Sequence, residues 1–145
     1  SWAANQQAHG KAPAYAYQFT RRQPYAPGVT FNDHDPAMVG AYHTGDVPYW
    51  LRTRDALNLF RVTRVWEPSD AALEAEMSAA LLSFAKGGVP VSPKLGAWPA
   101  FSPANPRLAT LGEVSTLTDW PHFAEMALFM GQGAAERPAG ARPRD

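Results

Sequence analysis

The sequence predicts an α/β chain in which a few edge strands of a larger sheet pack with helices. Three stretches carry that reading. "AYAYQFTRR" (14–22) alternates as a strand does, with Tyr15, Tyr17 and Phe19 on one face and Ala14, Ala16 and Gln18 on the other. Residues 70–86 repeat Leu73, Met77, Ala80, Leu81 and Phe84 at helical spacing, one apolar stripe. "RLATLG" (107–112) reads as a second short strand. Two short strands do not make an independent sheet, which ordinarily has about four to six. The chain therefore reads as a segment that completes a sheet.

The elements follow in order. Residues 2–9 read as the end of a helix, stopped by Gly10 and Pro13. The chain has no starting Met, and this opening suggests that it begins inside a larger protein. The strand at 14–22 carries Ala on its second face, so it is expected to be buried on both sides. Residues 23–41 form a long irregular connection. In 51–67, Leu57, Phe60 and Arg64 would share a helix face, and one or two short helices are expected. Ser69 or Asp70 can cap the helix at 70–86. Glu74 and Glu76 suit its positive end and Lys86 its negative end. Gly87, Gly88 and Pro90 stop it. "WPAF" (98–101) reads as a loop with buried aromatics. A last helix is expected from Thr118 or Asp119, with Pro121 in its first turn, Trp120, Phe123, Ala127 and Met130 on one face, and Gly131 as its stop. Residues 1–130 thus form one folded segment and 131–145 a Pro/Gly/Arg-rich tail.

Composition removes several functions. Lys+Arg and Asp+Glu both number 13, so no basic excess neutralises phosphates, and no nucleic-acid partner is expected. There is no cysteine, which excludes disulfides, thiolate metal sites and a cysteine nucleophile, and leaves the compartment open. No apolar run reaches the roughly 20 residues of a membrane span. "AKGGVP" and "GQG" lack the Lys and hydroxyl of a phosphate loop, and no cofactor is expected.

The chemistry narrows to histidine. His9 and His122 read as surface residues near helix ends. His34 lies in "NDHDP", where Asp33 and Asp35 could help to hold a cation, or simply form a solvated turn. His43 lies in "GAYHTGDVPYW" (40–50), three residues before Asp46. The pair could ligate a metal only with a third group, since catalytic zinc sites use three protein ligands. His43 could equally be a hydrogen-bonded loop histidine or a general base. No serine stands in G-x-S-x-G and no triple glycine offers an oxyanion hole, so a complete serine hydrolase is not encoded.

Taken together, four stretches resemble the C-terminal portion of the type B carboxylesterases, the α/β-hydrolase family of para-nitrobenzyl esterases and cholinesterases. "AYAYQFTRR" is similar to the family's Tyr-x-Tyr-x-Phe strand. "GAYHTGDVPYWL" resembles the segment with the catalytic His and an acid three residues on. "MSAALLSFAKGGVP" resembles a helix ending in Phe-Ala-Lys-Thr-Gly-x-Pro, with Gly87 in place of the Thr. "WPAFSPANPRLATLG" resembles the Trp-Pro-x-aromatic signature and the last strand. The order is collinear from about Ala14 to Met130.

The resemblance implies an α/β-hydrolase fold of which this chain is the C-terminal part. It implies His43 as the general base of a Ser–acid–His triad and Asp46 in a supporting or structural role. It implies a small-molecule ester as substrate. The nucleophile elbow, acid and oxyanion glycines would be supplied by the N-terminal part of the same enzyme, so the chain alone would be inactive. The competing reading is a non-catalytic binding or interaction module, whose partner surface would use aromatics such as Tyr15, Tyr17, Trp50, Trp66, Trp98 and Trp120.

Overall fold

The structure is a computed structural model that describes residues 2–135, with side chains through Phe129. The last ten residues of the expected tail, 136–145, lie outside the described residues. In chain order the elements are α1 (Trp2–His9), β1 (Tyr17–Phe19), α2 (Val47–Leu51), a 3-10 turn (Arg54–Asn58), α3 (Pro68–Gly87), β2 (Val91–Ser92), β3 (Gly96–Ala97), β4 (Arg107–Leu111), β5 (Thr116–Asp119) and α4 (Phe123–Ala135).

β4 is the centre of a three-stranded sheet of order β1-β4-β5. β1 runs parallel to it, with Tyr17 opposite Ala109 and Phe19 opposite Leu111. Parallel neighbours need a crossover, and α3 supplies it. β5 returns antiparallel, with Thr110 opposite Thr116, and the Thr110 and Thr118 hydroxyls lie 2.9 Å apart. β2 and β3 form a separate hairpin beside α3. The backbone of Lys94 in its turn donates to both oxygens of the buried Glu76 at 2.9 and 2.8 Å.

Several expectations change. The strand at 14–22 shortens to Tyr17–Phe19, although Ala16 and Thr20 still exchange hydrogen bonds with β4's chain on either side. It is not buried on both sides. β1 is a sheet edge, Gln18 is exposed and Tyr17 is 44% exposed, because no strand covers its outer side among the described residues. "TLTD" is β5 rather than a helix start. Its alternating β-branched threonines suit a pleat, and His122 at φ 54° delays α4 to Phe123. That helix continues past Gly131 to Ala135. Phe60 and Arg64 lie outside the 3-10 turn, and Phe60 is 97% exposed rather than sharing a helix face with Leu57.

The core is Tyr49, Leu73, Met77, Ala80, Trp98, Ala109 and Leu111. The N-terminal half of the α3 stripe is thus buried, whereas Leu81 and Phe84 stay exposed. "WPAF" does bury Trp98 and Phe101.

At the start of α3 lies a buried ion pair. Glu67, not Ser69 or Asp70, is the N-cap, and Asp70 at N3 accepts the Glu67 backbone N–H at 2.9 Å. Asp70 is fully buried. Its Oδ1 accepts Arg21 Nε at 2.7 Å and the Tyr49 hydroxyl at 2.8 Å, and its Oδ2 accepts Arg21 Nη2 at 3.0 Å. Burial pushes the Asp70 carboxyl upward, but the Arg21, Glu67 and Tyr49 donors outweigh it and hold it below the usual range. Tyr49 moves the other way: burial and the Asp70 carboxylate raise its hydroxyl.

Removing one partner of a buried pair strands the other charge. Asp70→Asn is expected to lower stability by roughly 3–5 kcal/mol at neutral pH in urea unfolding. Because Asp70 is depressed in the fold, its contribution is fully present above its unfolded value of about 3.9 and is lost as pH falls through the folded value. Acid unfolding curves of Asp70→Asn should lack that component.

Candidate active site

Residues 40–51 carry His43. Gly40 adopts φ 65° and Thr44 φ 68°, so the chain twice enters the left-handed region. Gly45 has no such requirement. It is buried, and a Cβ there would meet the Tyr42 carbonyl at 3.0 Å. Close approach, not backbone freedom, calls for glycine at 45. The Gly45 N–H donates to Tyr42 O at 3.0 Å and Val47 N–H to Thr44 O at 3.1 Å, which closes the turn and starts α2. Pro48 fits the first turn of α2, and the fully buried Tyr49 pins it to α3 through Asp70.

His43 is exposed and has no hydrogen-bond partner among the described residues. Among the described residues no serine or carboxylate is bonded to it. Asp46 does not bond to it; its Oδ2 accepts the Tyr17 hydroxyl at 2.6 Å and Trp50 Nε1 at 3.2 Å. Asp46 therefore ties β1 to α2, and the Tyr17 and Trp50 rings meet edge-on with centroids 5.1 Å apart. Burial first, then this carboxylate, pushes the Tyr17 hydroxyl up to about 12.

Two buried residues hold the turn from behind: Gln23, for which the sequence gives no signal, and Arg64, which the sequence places on a helix face rather than here. Buried Gln23 donates Nε2 to Gly45 O at 3.0 Å, and buried Arg64 donates Nε to Gln23 Oε1 at 3.3 Å and Nη2 to the Tyr42 hydroxyl at 3.4 Å. A single polar residue in irregular chain, such as Gln23, gives no signal of burial in the sequence.

His34 is bonded within the chain. Its Nε2 lies 3.0 Å from the Tyr25 hydroxyl and its Nδ1 2.9 Å from Asp33 Oδ1, while its ring stacks on Phe31 at 4.4 Å. The His34 contact draws the Asp33 carboxyl below its usual range. Asp35 accepts the Ala37 N–H at 2.9 Å and shapes the turn. Among the described residues no three His, Asp or Glu side chains gather to hold a metal.

Beside Tyr17 and Trp50 runs an open apolar groove of about 550 Å³, reaching Val47, Leu51, Leu81 and Phe84. None of the described helices is long and apolar enough to cross a membrane.

β1 and β4 run parallel and are joined through α3, and the histidine turn packs at the carboxyl end of β1, where open α/β sheets place their ligands. The carboxylesterase family model matches residues 1–127, and the chain belongs to the carboxylesterase family. Solved structures agree in fold. An esterase from Clostridium hathewayi that can hydrolyse aliphatic aromatic polyesters is 21% identical, with a TM-score of 0.63 over 92% of this chain. A carboxylesterase from Geobacillus stearothermophilus is 27% identical, with a TM-score of 0.59 over 86%. A para-nitrobenzyl esterase is 20% identical, with a TM-score of 0.65 over 87%. The chain spans 23% of the length of each of these. No curated protein matches it.

Tyr17→Phe removes the donor to Asp46 and is expected to lower stability by about 1 kcal/mol in urea. The raised Tyr17 hydroxyl contributes fully below its unfolded value of about 10 and loses that contribution as pH rises through about 12. In Tyr17→Phe this part of the alkaline stability loss should vanish.

Proposed function

We propose that this chain supplies the triad histidine of a serine carboxylic-ester hydrolase, and that His43 is that residue. The observation that carries this is an exposed imidazole, free of any hydrogen-bond partner among the described residues, on a rigidly closed turn. That turn lies at the carboxyl end of a parallel strand, since the Phe19 ring at the end of β1 comes within 3.6 Å of a Cβ built at Gly45. Ligands of open α/β sheets sit at such strand ends. Membership of the carboxylesterase family gives the reaction class.

In this reading the N-terminal part of the same enzyme supplies the serine, the acid and the oxyanion donors, and its body covers the apolar groove and the free edge of β1. The serine attacks the ester carbonyl while His43 takes the hydroxyl proton and passes it to the leaving alcohol. Water then attacks the acyl-enzyme, again with His43 as base. An imidazole suits both steps because its ordinary titration lies near neutral pH. Asp46 has a structural role, holding β1 and α2 together under the turn. The substrate is a small-molecule ester. The 145-residue chain alone is inactive, because oxyanion stabilisation is usually the largest single contribution.

In the complete enzyme, His43→Ala is expected to lower kcat for p-nitrophenyl ester hydrolysis by about ten-thousand-fold or more, with melting unchanged. Near-normal turnover by that variant would overturn the assignment of His43. Rapid turnover by the 145-residue chain alone would overturn the division of the site.

A further inference from the structure

We propose that Gln23 is a positioning residue for the His43 turn, oriented for that task by the buried cation of Arg64. The proposal rests on reading His43 as the base. The two side chains grip the turn on both sides of the histidine. Gln23 Nε2 holds the Gly45 carbonyl two residues after it, and Arg64 Nη2 reaches the Tyr42 hydroxyl one residue before it.

Arg64 gives the amide its orientation. It is 6% exposed, and among the described residues no carboxylate pairs with it. Its donors go to Gln23 Oε1, the Thr63 carbonyl at 3.2 Å and the Tyr42 hydroxyl, and its guanidinium lies over the Tyr25 ring at 3.9 Å. A guanidinium only donates. It therefore selects the oxygen end of the Gln23 amide and turns the NH₂ end toward Gly45. A carboxylate at 23 would pair better with Arg64 but would bring no N–H to the Gly45 carbonyl.

The turn needs such a hold. Thr44, next to His43, is β-branched and sits at φ 68°, a conformation that persists only when the surroundings impose it. The Gln23 and Tyr42 contacts bracket it. Catalytic side chains must stay within about 0.5 Å of productive geometry, and a displacement of about 1 Å can lower the rate by about a hundred-fold.

The test is Gln23→Glu in the complete enzyme, because it separates positioning from stability. Arg64 gains a carboxylate partner, while the Gly45 carbonyl loses its donor and faces an acceptor. The expected result is a melting temperature at or above that of the parent, a KM within about twofold, and a kcat for p-nitrophenyl acetate lower by about 10- to 100-fold. Parental kcat in the folded variant would overturn the proposal, as would a fall in kcat that only follows a fall in melting temperature. Where Gln23→Glu does not fold, Gln23→Asn keeps the amide but shortens its reach; well below its own melting temperature its kcat is expected to fall by about 10- to 100-fold, and parental kcat there would overturn the proposal. His43→Ala, measured in parallel, separates the two ideas. If it is inactive and Gln23→Glu is parental, positioning alone fails; if it is active, the reading of His43 fails and positioning fails with it.

Discussion

The Arg21–Asp70 pair is the constraint around which this chain is arranged. One carboxylate collects four donors from three separate parts of the sequence. Arg21 follows β1, Tyr49 belongs to α2, and Glu67 opens α3. A fully buried charge tolerates no loss of partners, so these three pieces have to meet in one arrangement. The bidentate Arg fork adds direction to that requirement. The apolar core then fills in around it, with Tyr49 touching Phe19 and Trp66 by its ring.

Support passes from that pair to the histidine turn along two routes. Through Tyr49 it fixes α2, whose first residues close the turn. Through the chain after Arg21 it places Gln23 against Gly45. Asp46 adds a third tie, to Tyr17. The acid three residues after His43 is thus occupied with structure, and no described residue bonds to the imidazole. A bare imidazole on a braced turn is what a base needs if its carboxylate and serine partners arrive from other chain.

The sequence made some of this legible and hid the rest for physical reasons. α3 was plain, because Leu73, Met77 and Ala80 repeat at helical spacing and all three are buried. β4 was plain as a short apolar run between turn residues. β5 was hidden because "TLTDWP" carries a plausible helix cap and a first-turn proline, and only pairing with β4 decides in favour of a strand. β1 was legible as a strand but not as an edge, since its alternation says nothing about how many neighbours it has. At the candidate site, the position of His43 came from motif order rather than periodicity. Gln23 escaped, and Arg64 was placed on a helix face instead of behind the turn, because single polar residues in irregular chain are ordinarily at the surface and their burial depends on a contact some forty positions apart.

The parallel pairing of β1 with β4 also bears on how the fold is reached in time. Tyr17 meets Ala109 only after most of the chain has been laid down, whereas β4 and β5 are joined by a short turn. Long loops must close before such distant pairs are rewarded. The β4–β5 hairpin and α3 rest on local contacts, whereas the place of β1 rests on contacts distant in sequence. The Arg21–Asp70 pair adds a second long-range tie, from the chain just after β1 to α3.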